Sequence, residues 1–173
     1  VVASPGNIGS ELSVAIGTDG LPVISYHDTA LAYFKVVKCG NTACSSGNTL
    51  TTLDTSNSGY ENSIAIGTDG LPVASYYDTA GGDLKVLKCG NASCCSRNII
   101  TSKDTTGTVG HYTSIAMGTD GLPVISYYDA APNTNLKVAK CGNASCTAGT
   151  SLTTVDAASG VGTYSAIAVG TLA

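Results

Sequence analysis

The chain of 173 residues has no tryptophan, one phenylalanine, one methionine, two histidines and only eight lysines and arginines together. These shortages exclude several classes of protein. A net charge of −4 with so few cations leaves no basic stripe to neutralise phosphates, which excludes nucleic-acid binding and disfavours anionic membranes. The charged fraction of 12% is about half of the usual quarter, so the surface must be clothed in Ser, Thr, Asn and Gly. No run approaches the roughly 18 apolar residues of a membrane helix, and the opening VVASPGN is neither basic nor long enough to be a signal peptide. An exported form would therefore carry its signal outside this stretch. Apolar residues at i, i+3, i+4 and i+7 are missing throughout, while Val, Thr, Ser and Gly are frequent, and an all-β protein is expected.

What is present is a repeated phrase. SIAIGTDGLPVASYYD, from Ser63 to Asp78, recurs with small changes from Ser13 to Asp28 and from Ser114 to Asp129. Within it Asp69-Gly70 separates two short apolar runs, and Asp-Gly tolerates the positive φ angles of a tight two-residue hairpin turn. Pro72 lacks an N–H and belongs at the start of its strand. Apolar residues on both parities of these runs argue that both faces are covered.

Aligning Gly17, Gly67 and Gly118 gives periods of 50 and 51 residues, with Gly170 a partial fourth match. The second unit shows four strand-like runs: Ser63 to Thr68, Leu71 to Tyr77, Leu84 to Cys89 and Asn98 to Asp104. Four strands in a period near 50 is the pattern of propeller blades rather than solenoid coils. Polar, Gly-rich stretches over 55–62, 105–113 and 157–165 read as crossovers between units. The first residues match a fourth strand and the last a first strand. A single repeat domain over 1–173 is expected, with units over 12–62, 63–113 and 114–165 and partial units over 1–11 and 166–173. That makes three complete four-stranded antiparallel blades, one outer strand at the N-terminus and one inner strand at the C-terminus. Such a chain cannot close a ring alone, and its ends call for further copies of the same repeat, in the same chain or in other subunits.

The form S-x-A-apolar-G-T-D-G-x-P-V-x-S-Y-Y-D, followed by L-K-V and a Gly-containing crossover, resembles the repeats of roughly 50 residues in bacterial secreted and surface proteins, which are loosely related to sialidase-type propellers. The resemblance covers nearly the whole chain and implies fold and location more than chemistry. Such units commonly place a Trp near the third hairpin; here CGNTAC, CGNASC and CGNASC stand instead. A sialidase-like site needs clustered arginines, and only Arg97 is present. His27 and His111 occupy non-equivalent places, so no Ser-His or Cys-His pairing recurs. Glu11 and Glu61 align with Tyr112 and Tyr164 in the other units, which leaves no glycosidase carboxylate pair. No catalysis and no cofactor are expected.

Cys39/Cys44, Cys89/Cys94 and Cys141/Cys146 each bracket a Gly-Asn turn, where two facing strands suit a disulfide. Zinc is the rival, but four ligands would have to meet and equivalent hairpins should splay apart. Disulfides point outside the cytosol. Cys95 has no counterpart and is either a free thiol or an intermolecular link. Asn91 and Asn143 stand in glycosylation sequons; the alternative is that Asn suits the turn. The acids Asp28, Asp78 and Asp129, beside His27, Tyr77 and Tyr128, form one candidate ligand site per unit, against the alternative that Tyr fills space and Asp starts an Asx-turn. Metal sites are not expected, and the paired lysines of the third strand (Lys35/Lys38, Lys85/Lys88, Lys137/Lys140) read as solvated charge. The function expected is a non-catalytic extracellular structural or interaction module without membrane insertion, forming filaments or other assemblies through its ends. The alternative is a lectin-like propeller that binds glycans.

Overall fold

The computed structural model describes residues 8–170, and these contain twelve strands and no helix. The first sheet comprises β1 (Ile8–Ile16), β2 (Pro22–Asp28), β3 (Tyr33–Lys38) and β4 (Thr49–Asp54). The second comprises β5 (Ser58–Ile66), β6 (Pro72–Asp78), β7 (Asp83–Lys88) and β8 (Ile99–Asp104). The third comprises β9 (Thr108–Met117), β10 (Pro123–Ala131), β11 (Asn135–Lys140) and β12 (Ser151–Asp156). Each sheet is an antiparallel meander with its strands in sequence order. The register repeats as well: Ser13 faces Ser25, Ser63 faces Ser75 and Ser114 faces Ser126. All-β architecture with four strands per unit thus agrees with the repeat pattern, and Pro72 opens its strand opposite Ile66.

Two local expectations are corrected. The Asp-Gly turn is not a two-residue loop, because the N–H of Gly67 donates to the carbonyl of Leu71 at 2.9 Å and that of Gly70 to the carbonyl of Gly67 at 2.9 Å. Only Gly70 of the dipeptide takes a positive φ, of 77°, while the Asp69 carboxylate accepts the N–H of Leu71. The stretch over 55–62 is also mostly strand rather than crossover, since β5 begins at Ser58. Its polar, Gly-containing sequence reflects two register shifts, between Ser58 and Tyr60 and between Tyr60 and Ser63, where Gly59 and Glu61 have φ of 91° and 49°. A bulged strand loses the alternation by which strands are recognised.

The core lies between successive sheets. Val23, Phe34 and Val36 of the first pack against Ile64, Ala74, Tyr76 and Leu87 of the second. Val73, Leu84 and Val86 of the second repeat the arrangement against Ile115, Ile125, Tyr127 and Ala139 of the third. Both faces of the middle sheet are therefore buried, which is why β6 is buried at all seven positions. The expected outer strand at the start of the chain lies outside the described residues.

Candidate functional site

The same set of polar bonds recurs at the two interfaces between complete sheets. Tyr76 donates its hydroxyl to Asp54 Oδ2 across the first interface at 2.8 Å, and Tyr127 donates to Asp104 Oδ2 across the second at 2.8 Å. Lys85 Nζ reaches Asp54 at 3.2 Å, and Lys137 pairs with Asp104. Burial raises both tyrosines well above the usual phenol range, and the adjacent carboxylates add to that. Burial also opposes ionisation of Asp54, but hydrogen bonds from Ser56 and Tyr76 and the charge of Lys85 outweigh it and bring its pKa down to about 2.

Serines add a second ladder. Ser13 Oγ accepts the N–H of Ile64 at 3.1 Å, Ser63 Oγ that of Ile115 at 3.2 Å and Ser114 Oγ that of Ile167 at 3.2 Å. A third joins Ser25 to Asn62, Thr113 to Ser75 and Ser165 to Ser126. Both ladders place residues 161–170 on the third sheet where a following inner strand would lie. Among the described residues no strand pairs with that segment, so it forms no ladder of its own.

At the outward faces the arrangement is half complete. Leu12, Val14 and Ile16 of β1 are 63%, 61% and 60% exposed, whereas Ile64 and Ile115, which match Val14, are 6% and 7% exposed. Asp156, the counterpart of Asp54 and Asp104, lies on an exposed strand and, among the described residues, accepts the N–H of Ala158 but neither a Tyr nor a Lys.

The residues singled out in the sequence mostly serve this packing. Disulfides join Cys39 to Cys44, Cys89 to Cys94 and Cys141 to Cys146, with Cα separations of 4.8, 4.8 and 4.9 Å. The second and third are core residues, and each hairpin leans on the preceding sheet: Thr51 donates to the Ser93 carbonyl at 3.1 Å, and Lys103 donates to that of Cys146. Cys95 is an exposed free thiol. Asn91 and Asn143 organise the hairpins. Asn91 Oδ1 accepts the N–H groups of Ser93 and Cys95, and its Nδ2, the atom a glycan would occupy, donates to Ser96 at 2.8 Å. Asn143 Nδ2 donates likewise to Thr147 at 2.8 Å.

His27, Asp28, Tyr77, Asp78 and Asp129 are buried, and Tyr128 is half-buried, so these residues do not present a solvent-facing ligand site. Asp28 receives Lys35 at 2.6 Å together with the N–H groups of Ala30 and Leu31. Asp78 receives Lys85 at 2.9 Å, and Asp129 receives Asn133 Nδ2 at 3.1 Å. His27 lies against the Tyr60 ring at 3.8 Å and Tyr77 against His111 at 3.8 Å, both across an interface. The lysines are not solvated charge either. Lys38 and Lys88 are buried, and with Lys140 each binds a turn carboxylate (Asp19, Asp69 or Asp120) at 2.7 Å.

One concave feature was not foreseen. A groove of about 510 Å³ runs along the inner strands, lined by Glu11, Glu61, Tyr112 and Tyr164 with Leu12, Asn62, Thr113 and Ser165. The first four occupy one repeat position and share a left-handed φ of 53°, 49°, 51° and 54°. Glu11 Oε2 accepts the N–H of Glu61 at 2.6 Å; Glu61 Oε2 accepts that of Tyr112 at 2.9 Å and bonds His111 Nδ1 at 2.7 Å. Burial raises the Glu11 pKa, and the neighbouring charge of Glu61 adds to that against the opposing bond from the Glu61 N–H. The Tyr112 and Tyr164 rings lie 4.3 Å apart. The signal was the change from Glu to Tyr at one repeat position.

Among the described residues no group of three or more His, Cys, Asp or Glu could hold a metal, and no helix is long and apolar enough to cross a membrane. No family model and no curated protein matches the chain. A solved structure of a protein of unknown function from Dyadobacter fermentans DSM 18053 is similar in fold, with a TM-score of 0.59 and 13% identity over 83% of this chain. The match spans 41% of that longer protein.

Proposed function

We propose that the chain is a non-catalytic, extracellular structural or interaction module of propeller type, whose outward faces are finished by further units of the same repeat. These come from a longer chain or from neighbouring subunits. The observation that carries this reading is the interface that occurs twice inside the molecule and, among the described residues, is half made on the two outward faces. Ile64 and Ile115 are buried where Val14 is open, and Asp54 and Asp104 hold a Tyr and a Lys where Asp156 holds neither. Three disulfides support a location in an oxidising compartment.

The test is to add a unit. Fusing a copy of 118–156 after Val169 supplies the three strands that would pair with residues 161–170. In a repeat protein each added interface contributes a neighbour term to stability. A rise of at least about 5 °C in the thermal midpoint is expected, equivalent to about 2 kcal/mol for a chain of this size. An unchanged or lower midpoint, with the added residues unprotected in hydrogen exchange, would sink the reading.

A further inference from the structure

The groove on the inner strands meets the sheet stacking through the two backbone bonds that Glu11 and Glu61 accept, the bond between Glu61 and His111, and the ladder bonds of Asn62, Thr113 and Ser165. Its four central residues project from the same bulge in successive units, so the backbone repeats while the chemistry does not. Two carboxylates stand at one end and two phenols at the other. No lysine or arginine lines it. Among the described residues, Oε1 of Glu11 and Oε1 of Glu61 accept no hydrogen bond, whereas Asn62, Thr113 and Ser165 already use their polar atoms in the ladders. Tyr164, 82% exposed, covers the Tyr112 ring and leaves its own outer face open.

Two carboxylates, each with one oxygen free of hydrogen bonds and only Glu61 bonded to an imidazole, that of His111, repel anions, and exposed aromatic faces attract cations through their quadrupole. A neutral sugar could stack on the tyrosines but would leave the charge unused. We propose that this groove binds an extended organic cation, a primary ammonium on an alkyl chain, with the ammonium between Glu11 and Glu61 and the chain along Tyr112 and Tyr164. The groove volume lies within the range of small-ligand sites. The ammonium could belong to a free amine or to a lysine side chain of another protein.

Titration of the whole chain with cadaverine and with a tetralysine peptide separates these sources, with a neutral tetrasaccharide and glutarate as comparators. Tyrosine emission is a usable readout because the chain has no tryptophan. Saturable binding near about 1 mM is expected for at least one of the two amines, weakened by added salt and absent for glutarate. Binding of both amines assigns the site to the ammonium itself, and binding of the peptide alone assigns it to lysine carried by a protein.

Glu11→Gln with Glu61→Gln should weaken binding by at least about tenfold, while glutamine still offers Tyr112 an acceptor. Tyr164→Ala should weaken it by about threefold or more without touching the core. Acidification should also weaken binding as the Glu11 carboxylate protonates, with Glu61 and His111 the charged or titratable groups that act on it and Tyr112 and Tyr164 further along the groove. No saturation by either amine, equal affinity for the tetrasaccharide, or binding indifferent to both glutamines and to Tyr164→Ala would overturn the assignment.

Discussion

At the scale of the residue, the fourth-strand aspartates carry more than their charge. Asp54 accepts a phenol that is itself fully buried, so replacing it takes the charged acceptor from Tyr76 and leaves Lys85 with the Asp78 carboxylate alone. Asp54→Asn should cost about 2–3 kcal/mol in urea unfolding. Asp156→Asn, chemically identical but on an exposed strand, should stay within about 0.5 kcal/mol. Equal losses at the two sites would refute the interface role.

The acid response follows from the same group. The folded pKa of Asp54 lies at about 2, below its ordinary 3.8, so its contribution is present above the ordinary value and is lost as pH falls through the folded one. The stability gap between the native chain and Asp54→Asn should therefore be constant above about pH 5 and close between about pH 4 and pH 2. A gap that widens on acidification would contradict the assignment.

At the scale of the element, the inner strands approach the preceding sheet so closely that a side chain has no room. A Cβ on Gly59 would lie 2.6 Å from Phe34 Cβ, and one on Gly110 would lie 2.6 Å from Leu84 Cα. Both glycines also have a positive φ, of 91° and 98°. Gly160 shares the conformation, at 81°, but a Cβ there would meet nothing within 4 Å. Gly110→Ala should therefore cost at least about 3 kcal/mol and Gly160→Ala about 1 kcal/mol, measured by chemical unfolding. The difference reports the packing alone.

These elements were unevenly legible in the sequence. The repeated phrase carried the strands and their order, because Asp-Gly turns and Pro at a strand start have local causes. The beginnings of β5 and β9 were hidden, since glycines at a bulge look the same as glycines in a loop. The burial of Lys38 and Lys88, and of the disulfides, depends on a neighbouring unit that a single phrase cannot show. The groove left one trace, the Glu, Glu, Tyr, Tyr series at an otherwise regular position.

At the scale of the whole molecule, the two cores that join sheets each join sequence neighbours among the described residues, and the serine ladder joins residues 51, 52 and 53 positions apart. Among the described residues no core cluster joins the first sheet directly to the third. Stability is then a sum of sheet terms and interface terms, which is why an added unit should register as one further interface. The loop lengths that separate 51 from 53 sit away from the ladders and are absorbed without disturbing them.

The spacing of the Ser13, Ser63 and Ser114 bonds has a bearing on ancestry. Loss of residues 63–113 would join Asn62 to Ser114 and bring Ser13 to Ile115, Phe34 to Tyr127, and Asp54 to Tyr127 and Lys137, each a pairing of the kind already present. Genes encoding such a chain can shorten or lengthen by whole periods through unequal recombination without creating a new interface. The outward faces are the points at which that history is free to continue.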